Sequence, residues 1–290
     1  MKNKQAILIM IHNNLWTVEK LVKLLDYDYF DLFIHIDKKS DIEIEDIRKI
    51  KIEKSQMFIY KKIEVRWADV SQVECELFLI EKALKSDKYK YLHLISGADL
   101  PIKKIDEIFY FFDNASEEYI HFEDEASNFR LDSVNRYNIF TRYRRTSIVA
   151  KIINRLAVYL QKLFNINRNR DKDKIRGGLN WFSITHDLSC YILEKKEDIL
   201  KNYKYTISGD ELFLHTAVYN SKFKENLYKH YSQSTFVDAM RHVDWDRGHP
   251  YVFRITDFNE LINSECMFAR KFDEKIDKEI IEKLYETLKS

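Results

Sequence analysis

Three places in the chain hold side chains whose types and spacing suit proton or phosphate chemistry. The first is Ser96-Gly97-Ala98-Asp99, which ends the apolar, β-prone run from Tyr91 to Ile95 with a single carboxylate. At the carboxyl end of a central strand in an α/β sheet, such an acid is either a ligand contact or a turn-former. The second is a set of Asp-x-Asp pairs: Asp26 with Asp28, Asp171 with Asp173, and Asp244 with Asp246. Paired carboxylates at a strand end would hold a divalent cation on a diphosphate, but none of these pairs follows a convincing strand. In a chain with 47 acids the spacing recurs by chance, so no metal site is expected. The third is Ser208-Gly209-Asp210-Glu211, just ahead of an apolar run. S-x-x-E is a capping box, in which the glutamate only bonds back to the helix start. The same carboxylate is also a serviceable general base. On residue types alone the cap is the stronger of the two.

The elements that must position these groups alternate in the first half of the chain. Gln5 to His12, Leu32 to Asp37, Met57 to Tyr60 and Tyr89 to Ser96 are continuously apolar, as in strands buried on both faces. Between them, Leu15 to Leu25 and Ser71 to Lys85 carry apolar residues at helical spacing. Alternation of this kind predicts βαβ units around a mostly parallel sheet. A further helix and the strand-like Glu118 to Glu123 follow. Beyond residue 176 the pattern predicts a strand at Asn180 to Thr185, helices at Leu188 to Glu194 and across Thr206 to Asn220, a strand at Pro250 to Ile255 and a closing helix from Asp277 to Leu288.

Residues 142–176 interrupt this pattern with the one strongly basic segment: Arg142, Arg144, Arg145, Lys151, Arg155, Lys162, Arg168, Arg170, Lys172, Lys174 and Arg176 against only Asp171 and Asp173. Its middle sets Val149, Ile152, Ile153, Leu156, Leu160 and Leu163 on one face, with Lys151, Arg155 and Lys162 largely on another. Such a helix either packs on its own domain or lies in an anionic bilayer surface.

Composition narrows the classes. With 5 Gly and 2 Pro among 290 residues there is no flexible linker, so one α/β domain over residues 1–290 is expected. A net charge of +1 gives no global basic field, which argues against nucleic acid as a partner. Cys75, Cys190 and Cys266 are odd in number and widely spaced, as fits a reducing cytoplasm. The aliphatic run Ala6 to Ile11 is too short for a membrane span and reads better as a first strand.

Taken in order, HIDKKS (35–40), VRWADVSQV (65–73), HLISGADLPIKK (93–104), GGLNWFSIT (177–185), SGDELFLHT (208–216) and FARKFD (268–273) resemble glycosyltransferase family 14, the core-2/I-branching β-1,6-N-acetylglucosaminyltransferases and peptide O-xylosyltransferases. The resemblance spans nearly the whole chain. It implies a GT-A-like fold with a Rossmann-like nucleotide-binding half (1–125), a basic helical insertion (142–176) and an acceptor and catalytic half (177–290). It further implies an inverting transfer from a UDP-sugar, UDP-GlcNAc first and UDP-xylose as the rival, with no metal and no other cofactor. The acceptor would be a glycan of a surface polysaccharide or a lipid-linked oligosaccharide. Lacking the anchor and cysteine-rich stem of animal members, the chain is similar to a soluble bacterial relative, cytoplasmic or peripheral at the inner face of the membrane.

Residue by residue, the resemblance makes Glu211 the catalytic base and Arg254 and Lys271 the diphosphate-binding cations, with Arg270 a weaker candidate. Asp37 and Asp99 fall at nucleotide-binding positions, each with an Asx-turn or cap as its alternative. Trp245, Arg136 and Tyr137 fall on the acceptor side. One departure is Ala68, where the family commonly has glycine after the tryptophan.

Overall fold

The computed structural model describes residues 3–123, 128–144, 146–168, 171–228 and 236–289. The N-terminal half alternates as its apolar runs predict: β1 (Gln5–Ile11), α1 (Leu15–Leu24), β2 (Phe30–Ile36), α2 (Ile44–Arg48), β3 (Gln56–Tyr60), α3 (Val70–Ser86), β4 (Tyr91–Ser96), the short β5 (Asp99–Pro101), α4 (Ile105–Asn114) and β6 (Tyr119–Phe122). Then come α5 (Asn128–Asn135), α6 (Ile148–Leu163), β7 (Gly178–Thr185), α7 (His186–Glu194), α8 (Lys196–Tyr203), α9 (Phe213–Tyr219), β8 (Arg241–Val243), α10 (Phe258–Asn263), β9 (Phe268–Arg270) and α11 (Lys278–Leu288).

Six strands form one sheet in the order β3-β2-β1-β4-β7-β6, parallel from β3 to β4 and antiparallel on both sides of β7. Alternate residues of β1 serve opposite faces. Ile7, Ile9 and Ile11 pack with α1, α4 and α11, while Ala6 and Leu8 pack with α3, α7 and α9. Two-sided cover is why these strands are apolar throughout. The mixed α/β architecture with a mostly parallel sheet is the one expected from the sequence.

The chain builds outward from β1 through β2 to β3, then returns to place β4 on the other side of β1. Between β1 and β4 the winding reverses, and the crevice beyond their carboxyl ends is where such sheets hold ligands. A second sheet, β5-β9-β8, sits beside that edge and pairs Asp99 with Arg270. Arg241, fully buried, ties the two sheets together: its guanidinium donates to the carbonyls of Leu94 (3.2 Å) and Phe182 (2.8 Å) and lies over Phe268.

Two sequence expectations fail for identifiable reasons. Pro250 to Ile255 is no strand: Tyr251 N and Phe253 N donate to the isolated carbonyls of Asp244 and Lys271, and the next two amides turn to carboxylates, Arg254 N to Asp257 and Ile255 N to Asp277. Thr206 to Asn220 is not one helix. Ser208 is left-handed at φ 53° and makes no capping bond; a 3₁₀ turn over Gly209–Glu211 follows, and only then α9. The capping-box role of Glu211 is thereby excluded, since a cap residue needs extended backbone and a side-chain bond to the first turn.

Candidate active site

The carboxyl ends of β1, β2 and β4 open into a cleft of about 1040 Å³. Asp37 follows β2 and lines it. Its Oδ1 accepts from the Lys39 and Val65 amides at 2.9 and 3.3 Å, and its Oδ2 lies 3.5 Å from Lys39 Nζ. The turn-forming and ligand-facing roles of Asp37 thus coexist, since a carboxylate has acceptor sites to spare. His12, one residue past β1, also faces the cleft. Burial lowers its pKa; the Asp37 charge opposes that, while Lys271, Arg270 and Lys39 reinforce it.

Asp99 answers the question raised by its position differently. It is 2% exposed and absent from the cleft wall. Its Oδ2 accepts from Ser96 N at 2.6 Å and its Oδ1 from Arg270 Nη1 at 2.6 Å. Arg270 is the group that lines the cleft, held also by Ser96 Oγ and stacked 4.6 Å from the Trp181 ring. Asp99 thus closes the β4 turn and holds the Arg270 guanidinium. Next to it, Lys271 lines the same wall. Arg254 does not; it is exposed and stands at the start of a 3₁₀ turn, one residue past Phe253, whose amide donates to the Lys271 carbonyl at 3.0 Å. Of the C-terminal cations expected from the sequence, the fold brings Arg270 and Lys271 to the cleft wall, which Lys39, Arg66, Arg130 and Arg142 also line.

Glu211 lines the same cleft. Its Oε2 is 3.1 Å from Arg130 Nη2, and the same guanidinium nitrogen donates to Glu123 Oε1 at 2.6 Å. Burial raises the pKa of Glu211, Arg130 pulls it down, and Glu123 pushes it up again. The side chain remains 39% exposed, so it can reach a ligand. Beneath it Asp210 accepts from Gln72 Nε2 at 2.9 Å, and its pKa is pushed up to about 7 by burial and then by the Glu211 charge. Deeper still, Glu76 on α3 is buried with neither carboxylate oxygen hydrogen-bonded, and burial followed by Asp210 drives its pKa well above the usual range. Both acids escaped sequence analysis, although Glu76 falls three residues after Val73 and four before Ile80, on the apolar register of α3.

Trp245 lines the cleft with its indole partly open to solvent. Arg136 and Tyr137 do not line it. Arg136 donates to the carbonyls of Gln161 and Ile166, and the Tyr137 amide donates to Gln161 Oε1, so the pair anchors α6. The Asp-x-Asp pairs are committed to turns: Asp26 accepts from the amides of Glu53, Lys54 and Ser55, Asp171 from Asp173, and Asp244 from Asp246 and Arg247. Among the described residues no group of three or more His, Cys, Asp or Glu is placed to hold a metal ion. Arg145 and Arg170 of the basic segment lie outside the described residues, as does the side chain of Lys172. Ala68 is left-handed at φ 60°, a conformation in which glycine is free of the Cβ penalty.

The site is an α/β sheet's cleft at the winding reversal, lined by a partly buried glutamate, Glu211, and by the neighbouring cations Arg270 and Lys271. The model of the core-2/I-branching enzyme family matches residues 6–264, and the chain belongs to that family. It is similar to "Xylosyltransferase sqv-6" of Caenorhabditis briggsae, 23% identical over 91% of this chain and 34% of that one. It is also similar to "Beta-glucuronosyltransferase GlcAT14A" of Arabidopsis thaliana, 22% identical over 64% of this chain and 42% of that one. The chain thus spans about a third to two-fifths of the length of these curated relatives. Among solved structures, mouse xyloside xylosyltransferase 1 in its apo form aligns at 12% identity and a TM-score of 0.39, covering 91% of this chain and 96% of that one.

Proposed function

We propose that this chain is an inverting glycosyltransferase that moves a sugar from a UDP-sugar to an acceptor hydroxyl in β-linkage. The carboxylate of Glu211 takes the hydroxyl proton as the oxygen bonds to the sugar C1; the C1–O bond to the diphosphate breaks, and the electron pair leaves with UDP. Arg270 and Lys271 meet that charge. Arg can grip two phosphate oxygens while Lys acts as a compact point charge, so fixed cations stabilise the leaving group without a metal ion. Asp37 takes ribose or uracil donors, and Trp245 stacks on the acceptor sugar. The observation that carries the proposal is that Glu211, Arg270 and Lys271 line one cleft although they lie some sixty residues apart in sequence.

The donor is UDP-GlcNAc in the first reading, in keeping with the core-2/I-branching family. UDP-xylose is the second, favoured by relatives whose names specify xylosyl transfer. A thermal-shift and hydrolysis screen against both, and against UDP-GalNAc, UDP-glucose and UDP-galactose, each in EDTA and in Mn²⁺, tests the proposal. Stabilisation by one UDP-sugar in EDTA is the expected result. Activity that vanishes in EDTA and returns with Mn²⁺ would overturn the metal-free mechanism, and silence towards every donor would leave a non-catalytic scaffold.

The acceptor is a surface or lipid-linked glycan, and the place of action is the inner face of the membrane. Among the described residues no helix is long and apolar enough to cross a bilayer. The amphipathic α6, however, turns Ile148 (75% exposed), Val149, Ile152, Leu156 and Leu163 to solvent. A basic helix with an uncovered apolar face is suited to lying in an anionic lipid surface.

A further inference from the structure

Beside the cleft, on the inner side of α6, is a second cavity of about 600 Å³. Trp67 lines both spaces, so the two are neighbours separated by one indole. Arg144, Lys151 and Arg155 all line the second cavity, which has no carboxylate in its wall. Lys151 and Arg155 make no side-chain hydrogen bond or ion pair among the described residues, in contrast to Lys162 on the same helix, which pairs with Asp132 at 2.5 Å. Burial, and after it the Arg155 charge, lowers the pKa of Arg144, so like charges converge on this space. Phe140 and Trp67 supply apolar walls, against which an anion is screened less than in open water.

Three basic side chains line one cavity whose wall holds no carboxylate, and two of them, Lys151 and Arg155, are solvent-accessible. We propose that this cavity is an acceptor subsite that binds an acidic group, a phosphate or a carboxylate, carried by the acceptor close to the sugar that is glycosylated. The link to the acceptor rests on the glycosyl-transfer reading; the anion site does not. A lipid-linked glycan would present its diphosphate here, since α6 carries the cavity on one side and its bare apolar face on the other. An acidic polysaccharide would present a uronate instead.

The test uses the full chain saturated with UDP, so that the donor cleft is blocked, and titrates inorganic pyrophosphate and sodium glucuronate by calorimetry. Saturable binding of at least one probe is expected, and Lys151→Gln/Arg155→Gln should raise its Kd about tenfold or more by removing two charge-assisted contacts. UDP affinity should stay within about twofold, because neither residue lines the donor cleft. Lys162→Gln should leave probe binding unchanged. Tighter pyrophosphate indicates the lipid-linked source, tighter glucuronate the acidic sugar. Absence of probe binding, or equal binding by wild type and the double variant, overturns the subsite. A failure of UDP itself to bind would instead strike the proposed function.

Discussion

Where Arg270 and Lys271 line the cleft, Asp37 is held by Val65 from another segment, and Asp99, fixed by Ser96 in its own turn, pairs across the two sheet strands with Arg270. On the side of α6, Lys151 and Arg155 hold nothing among the described residues, and a row of apolar side chains faces solvent. The first wall stands on the carboxyl edge of a buried sheet and a three-stranded companion, so its groups arrive at fixed positions. The second is a helix tied to the body by a few polar contacts such as Arg136 to Gln161. Under the proposed function the difference has a use: preorganised charge suits a leaving group whose chemistry never varies, and an open surface suits acceptors and membranes that must come and go.

The comparison is broken most forcefully at the base. Glu211→Gln is expected to lower kcat by about 10²- to 10⁴-fold with UDP affinity unchanged. Because burial raises the Glu211 pKa, wild-type kcat/KM should fall as pH drops through a value above the ordinary 4.5. A flat profile in that range would remove Glu211 from the role.

The buried acids come next. A carboxyl with a raised folded-state pKa stays protonated while its unfolded counterpart ionises, so it lowers stability as pH rises from the unfolded value towards the folded one. For Glu76 this amounts to roughly 1.4 kcal/mol per pH unit above about 4.5, until the folded pKa is reached. Glu76→Gln should therefore raise the melting temperature more at pH 8 than at pH 5. An equal shift at both values would mean that Glu76 is not strained by charge.

Smaller effects sharpen the other wall. Ile152→Ser with Leu156→Ser should abolish co-sedimentation with anionic liposomes yet change folding stability by less than about 0.5 kcal/mol, as for exposed sites generally. Undiminished lipid binding would return α6 to ordinary scaffold. Last, Ala68→Gly should stabilise the chain by up to about 1 kcal/mol, by relieving a left-handed alanine at the cost of some backbone entropy. A loss of stability there would show that the Ala68 methyl packs better than its backbone suffers.

Much of the sheet was legible because β1, β2 and β4 are buried on both faces and must be apolar from end to end. Glu211 and Lys271 were legible only through the family motifs, and the cleft brings both in. What sequence could not show is which cation a motif delivers. Arg254 and Arg270 are both arginines near the C-terminus, and only the pairing of β9 with β5 turns Arg270 onto Asp99. The same pairing turns the Asp99 carboxylate onto Arg270 and away from the cleft wall. Arg136 and Tyr137 lie off the cleft for a related reason, since α6 folds back over them and takes their hydrogen bonds. Glu76 was hidden because a charged residue on a buried register looks like a solvated one until both faces of the helix are known.

The most direct test of the central claim, that Arg270 and Lys271 form the fixed-cation end of the cleft, is calorimetric binding of UDP in EDTA to wild type, Arg270→Gln, Lys271→Gln and Arg254→Gln. The account predicts affinity losses of about tenfold or more for the first two variants, and a change within about twofold for Arg254→Gln. Loss of UDP binding in Arg254→Gln with Arg270→Gln unaffected would contradict it.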